Sequence, residues 1–371
     1  MEKIKVVLVF GTRPEAIKMA PLVLELKSRK EFETVVCVTA QHRQMLDQVL
    51  ETFGIVPDYD LDIMSQNQTL SMITSKAMLG VEEIIKKVQP HIVLVHGDTT
   101  TSFAGGLSAF YNHVKIGHVE AGLRTYDMQS PFPEEANRVF VDGITDLFFA
   151  PTEQSKANLI KENKAEQSII VTGNTAIDAL RYTVRADYQN EILDWAKGSR
   201  LIMLTAHRRE NLGERMRAFF QAIKRVLKKE KDVKIVYPVH LNPIVQRLAK
   251  EMFGAEDRVR LIAPLSVVDF HNIMAKCYMI LTDSGGVQEE APSLGKPVLV
   301  LRDTTERPEG VEAGTLQVVG TSEEGVYEAI VRLLEDTELY TAMSKAKNPY
   351  GDGKASQRIA DCILSYFSTL E

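Results

Sequence analysis

Hydrophobic and polar residues follow one another in a repeated order: a short run rich in β-branched residues, a turn, and a longer amphipathic segment. This order is typical of a parallel β-sheet covered by helices. In the first half it predicts strands at 5–10, 35–39, 92–96, 115–119, 146–149 and 169–172. In the second half it predicts strands at 201–204, 233–237, 259–262, 279–282, 298–301 and 317–319. The expected fold class is α/β, with two Rossmann-like doubly wound domains.

The pattern weakens over 186–199, a stretch rich in charged and amide side chains, and then begins again. A chain of 371 residues also exceeds the size at which a single hydrophobic core usually keeps growing. We therefore expect an N-terminal domain at 1–186 and a C-terminal domain at 187–354. A turn cluster precedes a last predicted helix at 355–371, which is expected to pack back on the first domain.

Composition and charge exclude several classes of protein. The chain has 50 acidic and 44 basic residues and a net charge of -6, which argues against a general nucleic-acid binder. Cys37, Cys277 and Cys362 are far apart, so neither a disulfide framework nor a zinc site is indicated. The N-terminus does not resemble a signal peptide, and no apolar stretch approaches membrane-spanning length. We expect a cytoplasmic protein without a membrane partner.

Acidic residues follow three neighbouring strands, where ligands of open α/β sheets bind. Asp98 and Glu120 come directly after two predicted strands, and Glu134 lies in the first turn of a helix. Each has a simpler interpretation, since Asp98 suits a helix cap and Glu134 suits the positive end of a helix. Taken together, converging carboxylates are what proton transfer on opposite faces of a substrate requires.

A glycine-containing turn in the second half is suited to a diphosphate. Ser284, Gly285 and Gly286 follow the predicted strand at 279–282 and open a helix, which offers free backbone N–H groups. Further candidates are a cation after the first strand, a histidine followed by two arginines, a carboxylate suited to ribose and a later cation: Arg13, His207, Glu290 and Arg307. His240 also follows a strand, where packing and ligand contact are equally good interpretations.

Common cofactor motifs do not occur in the sequence. The first strand is not followed by G-x-G-x-x-G, and there is neither a Walker lysine loop nor a G-x-S-x-G elbow. His113 and His118 are not spaced as metal ligands. We therefore expect no nicotinamide cofactor and no metal.

The stretches that contain these candidates resemble, over essentially the whole chain, the non-hydrolysing UDP-N-acetylglucosamine (UDP-GlcNAc) 2-epimerase family. The matching stretches are GTRPEAIK from Gly11, VHGDTTT from Val95, HVEAGLRT from His118, PFPEEANR from Pro131, TAHRREN from Thr205, DSGGVQEEAPSLGKPVLVLRDTTERPE from Asp283 and NPYGDG from Asn348. The resemblance implies a glycosyltransferase-B-like architecture, a substrate in the cleft between the domains and a homodimer. It also implies reversible conversion of UDP-GlcNAc to UDP-N-acetylmannosamine (UDP-ManNAc) through 2-acetamidoglucal, for cell-surface polysaccharide.

The resemblance also implies roles for individual residues. The implied catalytic residues are Asp98, Glu120, Glu134 and His207. The implied UDP-sugar contacts are Arg13, Lys18, Phe270, Ser284, Gly285, Gly286, Glu290 and Arg307, with Phe270 beside the uracil. A second UDP-GlcNAc, bound as an allosteric activator, is implied at Gln41, Gln44, Glu134, Arg208 and His240. The sequence departs from the family at Asn67, where activated members carry arginine, and loss of that cation is expected to weaken or abolish the activator site.

Three alternative functions share many of these features. A hydrolysing 2-epimerase has the same fold but releases UDP and free ManNAc. A UDP-sugar glycosyltransferase of the same architecture needs an acceptor pocket, and the clustered acids disfavour it. A nucleotide-sugar sensor would bind without turnover, which the retained proton-transfer candidates argue against.

Overall fold

The computed structural model describes residues 3–40, 43–65 and 68–369. The chain divides into two compact units, with unit 1 formed by Met1–Tyr182 and Tyr350–Glu371 and unit 2 by Thr183–Pro349. Each unit contains one parallel sheet with helices between successive strands. The predicted α/β class with two Rossmann-like units is confirmed.

Unit 1 contains a seven-stranded sheet in the order β3-β2-β1-β4-β5-β6-β7. Its strands are β1 (Ile4–Phe10), β2 (Phe32–Val38), β3 (Tyr59–Asp60), β4 (Ile92–His96), β5 (Lys115–Val119), β6 (Leu147–Ala150) and β7 (Ile169–Val171). Its helices before the last one are α1 (Arg13–Ser28), α2 (Arg43–Thr52), α3 (Leu70–Val88), α4 (Thr100–Tyr111), α5 (Glu134–Ile144), α6 (Glu153–Lys161) and α7 (Thr175–Thr183). The last residue of α7 is the first residue of unit 2. All neighbouring strands are parallel, and the order reverses between β1 and β4, where such sheets bind ligands.

The sheet of unit 1 is buried on both faces, which explains its continuous apolar strands. Along β1, Leu8 and Phe10 belong to one hydrophobic cluster, whereas Val7 and Val9 belong to another. Because successive strand residues point to opposite faces, one strand serves both clusters. This packing fixes the strand ends, from which the polar turns project.

Unit 2 contains a six-stranded sheet in the order β10-β9-β8-β11-β12-β13. Its strands are β8 (Arg200–Thr205), β9 (Val233–Pro238), β10 (Val259–Ile262), β11 (Met279–Thr282), β12 (Val298–Val300) and β13 (Leu316–Val318). Its helices are α8 (Glu191–Ala196), α9 (Glu214–Lys229), α10 (Pro243–Phe253), α11 (Val267–Lys276), α12 (Gly285–Glu290), α13 (Pro308–Glu312), α14 (Glu323–Glu335) and α15 (Thr337–Lys345). The strands are again all parallel, and the order reverses between β8 and β11.

The last helix, α16 (Ala355–Ser368), belongs to unit 1 and packs against α1. Ile359 and Ile363 are fully buried in the same cluster as Phe10. The first two residues of α16 donate their backbone N–H groups to the carboxylate of Asp178, at 3.1 and 2.8 Å. This buried carboxylate satisfies donors that a helix start would otherwise leave unpaired.

All twelve predicted strands overlap a strand of the structure. The strand β3 was not predicted, because two residues are too few to produce an alternating pattern. Among the described residues, no helix is both long enough and apolar enough to cross a membrane.

Candidate active site

A cavity of about 330 Å³ lies at the carboxyl edge of the sheet in unit 1. Its lining includes four side chains that the sequence singled out: Lys18, Asp98, Glu120 and Glu134. They project from α1, from the turns after β4 and β5, and from the first residue of α5. The structure thus brings three carboxylates and one ammonium group together around one cavity.

Glu120 lies at the centre of this group in an uncommon backbone conformation, with φ at +66°. Its buried carboxylate pairs with the ammonium of Lys18. Burial alone raises the pKa of Glu120, but the positive charges of Lys18 and Arg138 outweigh burial and hold the pKa well below its usual range. Glu120 is therefore ionised at pH 7, and its positive φ is a strain that occurs often at functional sites.

Arg138 of α5 is buried and connects two of the turns that carry carboxylates. Its guanidinium pairs with Asp98 and donates a 2.8 Å hydrogen bond to the backbone carbonyl of Glu120. The neighbouring Asn137 donates from Nδ2 to the backbone carbonyl of Asp98 at 2.9 Å. Helix α5 thereby fixes the turns after β4 and β5 relative to each other.

Two buried polar atoms of the cavity have no hydrogen-bond partner among the described residues: Nε2 of His96 and Oε2 of Glu134. His96 is the last residue of β4 and is 4% exposed. Burial lowers the pKa of His96 to about 3, so the imidazole is neutral at pH 7. Its Nε2 lies 3.6 Å from Oε2 of Glu120, beyond hydrogen-bond distance.

A buried carboxylate ties the turn after β1 to the turn after β4. Glu15 accepts from the backbone N–H groups of Gly11 at 3.0 Å and Thr12 at 2.8 Å, and from the hydroxyl of Thr99 at 2.6 Å. Burial raises the pKa of Glu15. A Cβ at Gly11 would lie 1.9 Å from a threonine hydroxyl on the neighbouring strand end, so only glycine fits there. This turn also positions Arg13, the first residue of α1.

A second buried network supports the turn that contains Asp98. Nδ1 of His118 lies 2.6 Å from the carboxylate of Asp142, and Nε2 lies 2.7 Å from the carbonyl of Gly97. Burial alone raises the pKa of Asp142, but His118 and Arg124 outweigh it and lower the pKa. The histidine thus connects α5 with the residue directly before Asp98.

In unit 2, the fully buried Asp283 organises the turns after β8 and β11. Its carboxylate accepts from the backbone N–H groups of His207 at 3.0 Å and Arg208 at 2.9 Å. Nδ2 of Asn211 donates to the same oxygen at 3.0 Å. One carboxylate therefore holds the segment that follows β8 against the start of α12.

Two guanidinium groups approach the Ser-Gly-Gly turn of unit 2. A Cβ at Gly285 would lie 3.4 Å from Nη2 of Arg307 and 3.9 Å from Nη2 of Arg208. Arg307 also pairs with the buried Glu289, which fixes its side chain. The turn thus presents two cations beside backbone N–H groups, an arrangement suited to a diphosphate.

The rings of His207 and His240 are stacked, with centroids 5.0 Å apart and an interplanar angle of 10°. Burial is the largest effect on the pKa of His207 and lowers it. The negative charge of Asp283 raises this pKa, whereas the positive charges of His240 and Arg208 lower it. His207 is therefore neutral at pH 7. Its side chain is 39% exposed.

The remaining candidates of unit 2 lie on α11 and α12. Oε2 of Glu290 lies 3.4 Å from Nε2 of the buried His271, whose Nδ1 lies 2.8 Å from the hydroxyl of Thr183. Phe270 is half-buried and packs against a core cluster of this unit. The contact with His271 orients Glu290, whose side chain is 13% exposed.

The predicted activator site is described only in part. Gln41 and Asn67 lie outside the described residues, and the side chain of Gln44 is not described either. Arg208 and His240 lie beside His207 in unit 2, and Glu134 lines the cavity of unit 1. The activator role of these residues stays a prediction.

Four residues that build the cavity of unit 1 and the turns of unit 2 were not singled out from the sequence: Glu15, His96, Arg138 and Asp283. Each lies inside or at the edge of one of the stretches that resemble the family, and this location is the only feature of the sequence that marks them. Their partners are distant in the chain: Asp98 lies 40 residues before Arg138, and His207 and Arg208, whose backbone N–H groups donate to Asp283, lie 76 and 75 residues before it. Such pairings depend on the folded topology.

The fold and its polar strand ends define a class: a two-domain α/β protein of Rossmann-like type, with titratable groups at the point where each sheet reverses strand order. A family model described as UDP-N-acetylglucosamine 2-epimerase matches residues 24–364. The chain therefore belongs to the UDP-N-acetylglucosamine 2-epimerase family.

Individual relatives agree with this membership. The UDP-N-acetylglucosamine 2-epimerase of Bacillus subtilis is 62% identical over 99% of this chain and 97% of its own length. The S. aureus protein MnaA, solved with UDP, superposes with a TM-score of 0.91 at 55% identity, over 98% of this chain and 97% of that one. The UDP-GlcNAc 2-epimerase of Neisseria meningitidis, solved with UDP-GlcNAc, gives 0.89 at 47% identity, over 98% and 100%.

Proposed function

We propose that this protein is a non-hydrolysing UDP-GlcNAc 2-epimerase, which interconverts UDP-GlcNAc and UDP-ManNAc. The observation that carries the proposal is the cavity of unit 1, around which Asp98, Glu120 and Glu134 are grouped with Lys18. Family membership and the nucleotide ligands of the relatives supply the substrate class.

The chemistry at C2 explains why acids and cations are both needed. The C2 hydrogen is not next to a carbonyl group, so its loss requires departure of the diphosphate from C1. A carboxylate takes the C2 proton while the C1–O bond breaks and its electron pair leaves with UDP, which gives 2-acetamidoglucal. UDP then adds back at C1, and C2 receives a proton on the opposite face.

The carboxylates of unit 1 are assigned to the two proton transfers, one on each face of C2. Glu120 is ionised and suited to accept a proton, since Lys18 and Arg138 lower its pKa. Asp98 and Glu134 are the further acid and base candidates at the same cavity.

The residues of unit 2 are assigned to the nucleotide. Arg208 and Arg307 beside Gly285 stabilise the charge that develops on the departing diphosphate, as preorganised electrostatics does in many enzymes. His207 contributes a neutral donor near these cations, Glu290 is assigned to the ribose and Phe270 to the uracil. Arg13 of unit 1 is assigned to the same diphosphate.

A homodimer is part of this proposal and is supported by exposed apolar side chains on unit 1. Leu79, Phe110 and Phe140 are 56%, 51% and 49% exposed; they lie on α3, α4 and α5, and α4 packs against both of the other helices. Apolar side chains exposed on neighbouring helices are typical of surfaces that another protein covers. Light scattering coupled to size-exclusion chromatography tests this assembly, and a mass of one chain would contradict it.

The product distribution tests the proposed activity. The purified protein is incubated with UDP-GlcNAc without added metal or NAD, and products are followed by ¹H NMR. UDP-ManNAc in equilibrium with UDP-GlcNAc is the expected result. Accumulation of UDP and free ManNAc would instead identify the hydrolysing reaction, and no change would point to a glycosyltransferase without its acceptor or to a sensor.

A further inference from the structure

His96 is buried at the carboxyl end of β4, yet its Nε2 has no hydrogen-bond partner among the described residues. Most buried polar atoms in folded proteins are bonded, and an unpaired one is costly. His96 also lines the cavity that contains Asp98, Glu120 and Glu134. His96 is thus a wall residue of this cavity, and its unpaired nitrogen lies beside the carboxylates grouped there.

Glu134 shows the same feature in the same cavity. Its Oε2 is buried and unpartnered among the described residues. One imidazole nitrogen and one carboxylate oxygen in a shared cavity call for a ligand rich in hydroxyl or amide groups. An apolar ligand would leave both atoms unpaired.

The surroundings of His96 explain why protein groups do not satisfy it. Glu120 is the nearest carboxylate, but its Oε2 stays 3.6 Å from Nε2 because it pairs with Lys18. The imidazole is neutral at pH 7, since burial lowers its pKa to about 3. A neutral imidazole forms hydrogen bonds with sugar hydroxyl and amide groups without adding a charge beside the proton-transfer carboxylates.

We infer that His96 is a further substrate-binding residue, which forms a hydrogen bond through Nε2 with the hexosamine part of the nucleotide sugar. This inference rests on the proposed function for the identity of the sugar. It assigns His96 to recognition of the hexosamine and not of the nucleotide, for which residues of unit 2 are proposed. Nε2 is the atom that matters, so the position of a replacement amide decides whether the contact survives.

Three replacements test the inference: His96→Leu, His96→Gln and His96→Asn. Leucine removes the polar atom, glutamine places an amide near the position of Nε2, and asparagine places it nearer Nδ1. His91→Leu is the matched control, because His91 directly precedes the same strand and is exposed. Calorimetry measures the affinities for UDP and for UDP-GlcNAc, and steady-state assays give kcat/KM.

The expected result is an unchanged UDP affinity in every variant. For UDP-GlcNAc, His96→Leu should lower affinity and kcat/KM at least about tenfold, the effect of one lost hydrogen bond with an unpaired partner. Glutamine should restore part of this loss, whereas asparagine should not. The His91→Leu control should match the wild-type protein.

Two results would overturn the inference. One is a His96→Leu protein with unchanged UDP-GlcNAc affinity and kcat/KM, and the other is an equal loss of UDP and UDP-GlcNAc affinity. If the leucine variant does not fold, the glutamine and asparagine variants decide, since equal behaviour of both contradicts a contact through Nε2. Wild-type protein that binds UDP-GlcNAc without epimerising it would contradict the proposed function and still leave the binding comparison decisive for His96.

Discussion

Arg138 and Asp98 form an ion pair in unit 1, and the same guanidinium donates a 2.8 Å hydrogen bond to the backbone carbonyl of Glu120. One buried side chain on α5 thus sets the positions of two carboxylates that follow different strands. Proton transfer depends on the distance between base and carbon, so this arginine is expected to control turnover and not nucleotide binding.

Replacing Arg138 by lysine is expected to lower kcat roughly 100-fold, because a displacement of about 1 Å at a catalytic group has an effect of that order. Lysine keeps the charge but lacks the fork that reaches both partners. Steady-state kinetics and calorimetric titration with UDP measure the two effects separately. Arg217→Lys, in a surface pair with Glu251 of unit 2, is the control. An unchanged kcat would contradict the positioning role of Arg138.

Lys18 is expected to set the acidic limb of the pH profile through Glu120. Burial raises the pKa of Glu120 and Lys18 is the largest opposing influence, so Lys18→Met should raise that pKa. Glu120 must be ionised to accept a proton, so the acidic limb of kcat/KM should move to higher pH.

The pH dependence of kcat/KM measures this shift. Lys27→Met, at an exposed position on the same helix, should leave the profile unchanged. A variant with reduced activity but an unshifted acidic limb would show that Glu120 is not the group that titrates there.

Asp283→Asn is expected to weaken UDP binding and destabilise unit 2. Asparagine removes the negative charge that strengthens the hydrogen bonds from two backbone N–H groups and Asn211. Its NH₂ group in place of Oδ1 would face the backbone N–H of His207, which lies 3.2 Å from that oxygen. The expected loss of stability is about 1–3 kcal/mol. Urea denaturation and UDP titration measure the two effects. Asp257→Asn, at an exposed position of the same unit, is the control. Wild-type UDP affinity in Asp283→Asn would contradict the organising role.

Glu15→Leu is expected to destabilise unit 1, because leucine leaves the backbone N–H groups of Gly11 and Thr12 and the hydroxyl of Thr99 without their acceptor. We expect a loss on the order of 2 kcal/mol, measured by urea denaturation. Glu83→Leu, at an exposed position on α3, should have almost no effect. A stability equal to that of the wild type would show that the turn after β1 does not depend on this carboxylate.

The fold was largely predictable because the order of apolar runs and amphipathic segments is a local property of the sequence. Apolar runs between amphipathic segments located every strand except β3, which is two residues long. The grouping of Asp98, Glu120 and Glu134 was predictable for a related reason, since parallel strands deliver their carboxyl ends to one edge of the sheet. The catalytic roles of these residues remain predictions.

The supporting residues were not predictable in the same way. Nothing in the spacing of Arg138 indicates a partner 40 residues away, and an isolated His96 is not distinguished from a histidine that is satisfied in a core. Whether a buried polar atom is bonded depends on neighbours from several strands. Such information exists only once the chain is folded.

Epimerisation by proton exchange at C2 is tested by incubating the purified protein with UDP-GlcNAc in D₂O and following the C2 and anomeric protons by NMR. Proton removal and return at C2 predicts deuterium at C2 of the UDP-ManNAc formed, and with time at C2 of the recovered UDP-GlcNAc. UDP-ManNAc that retains its original hydrogen at C2, or a mixture in which no UDP-ManNAc forms, would contradict epimerisation by proton exchange at that carbon.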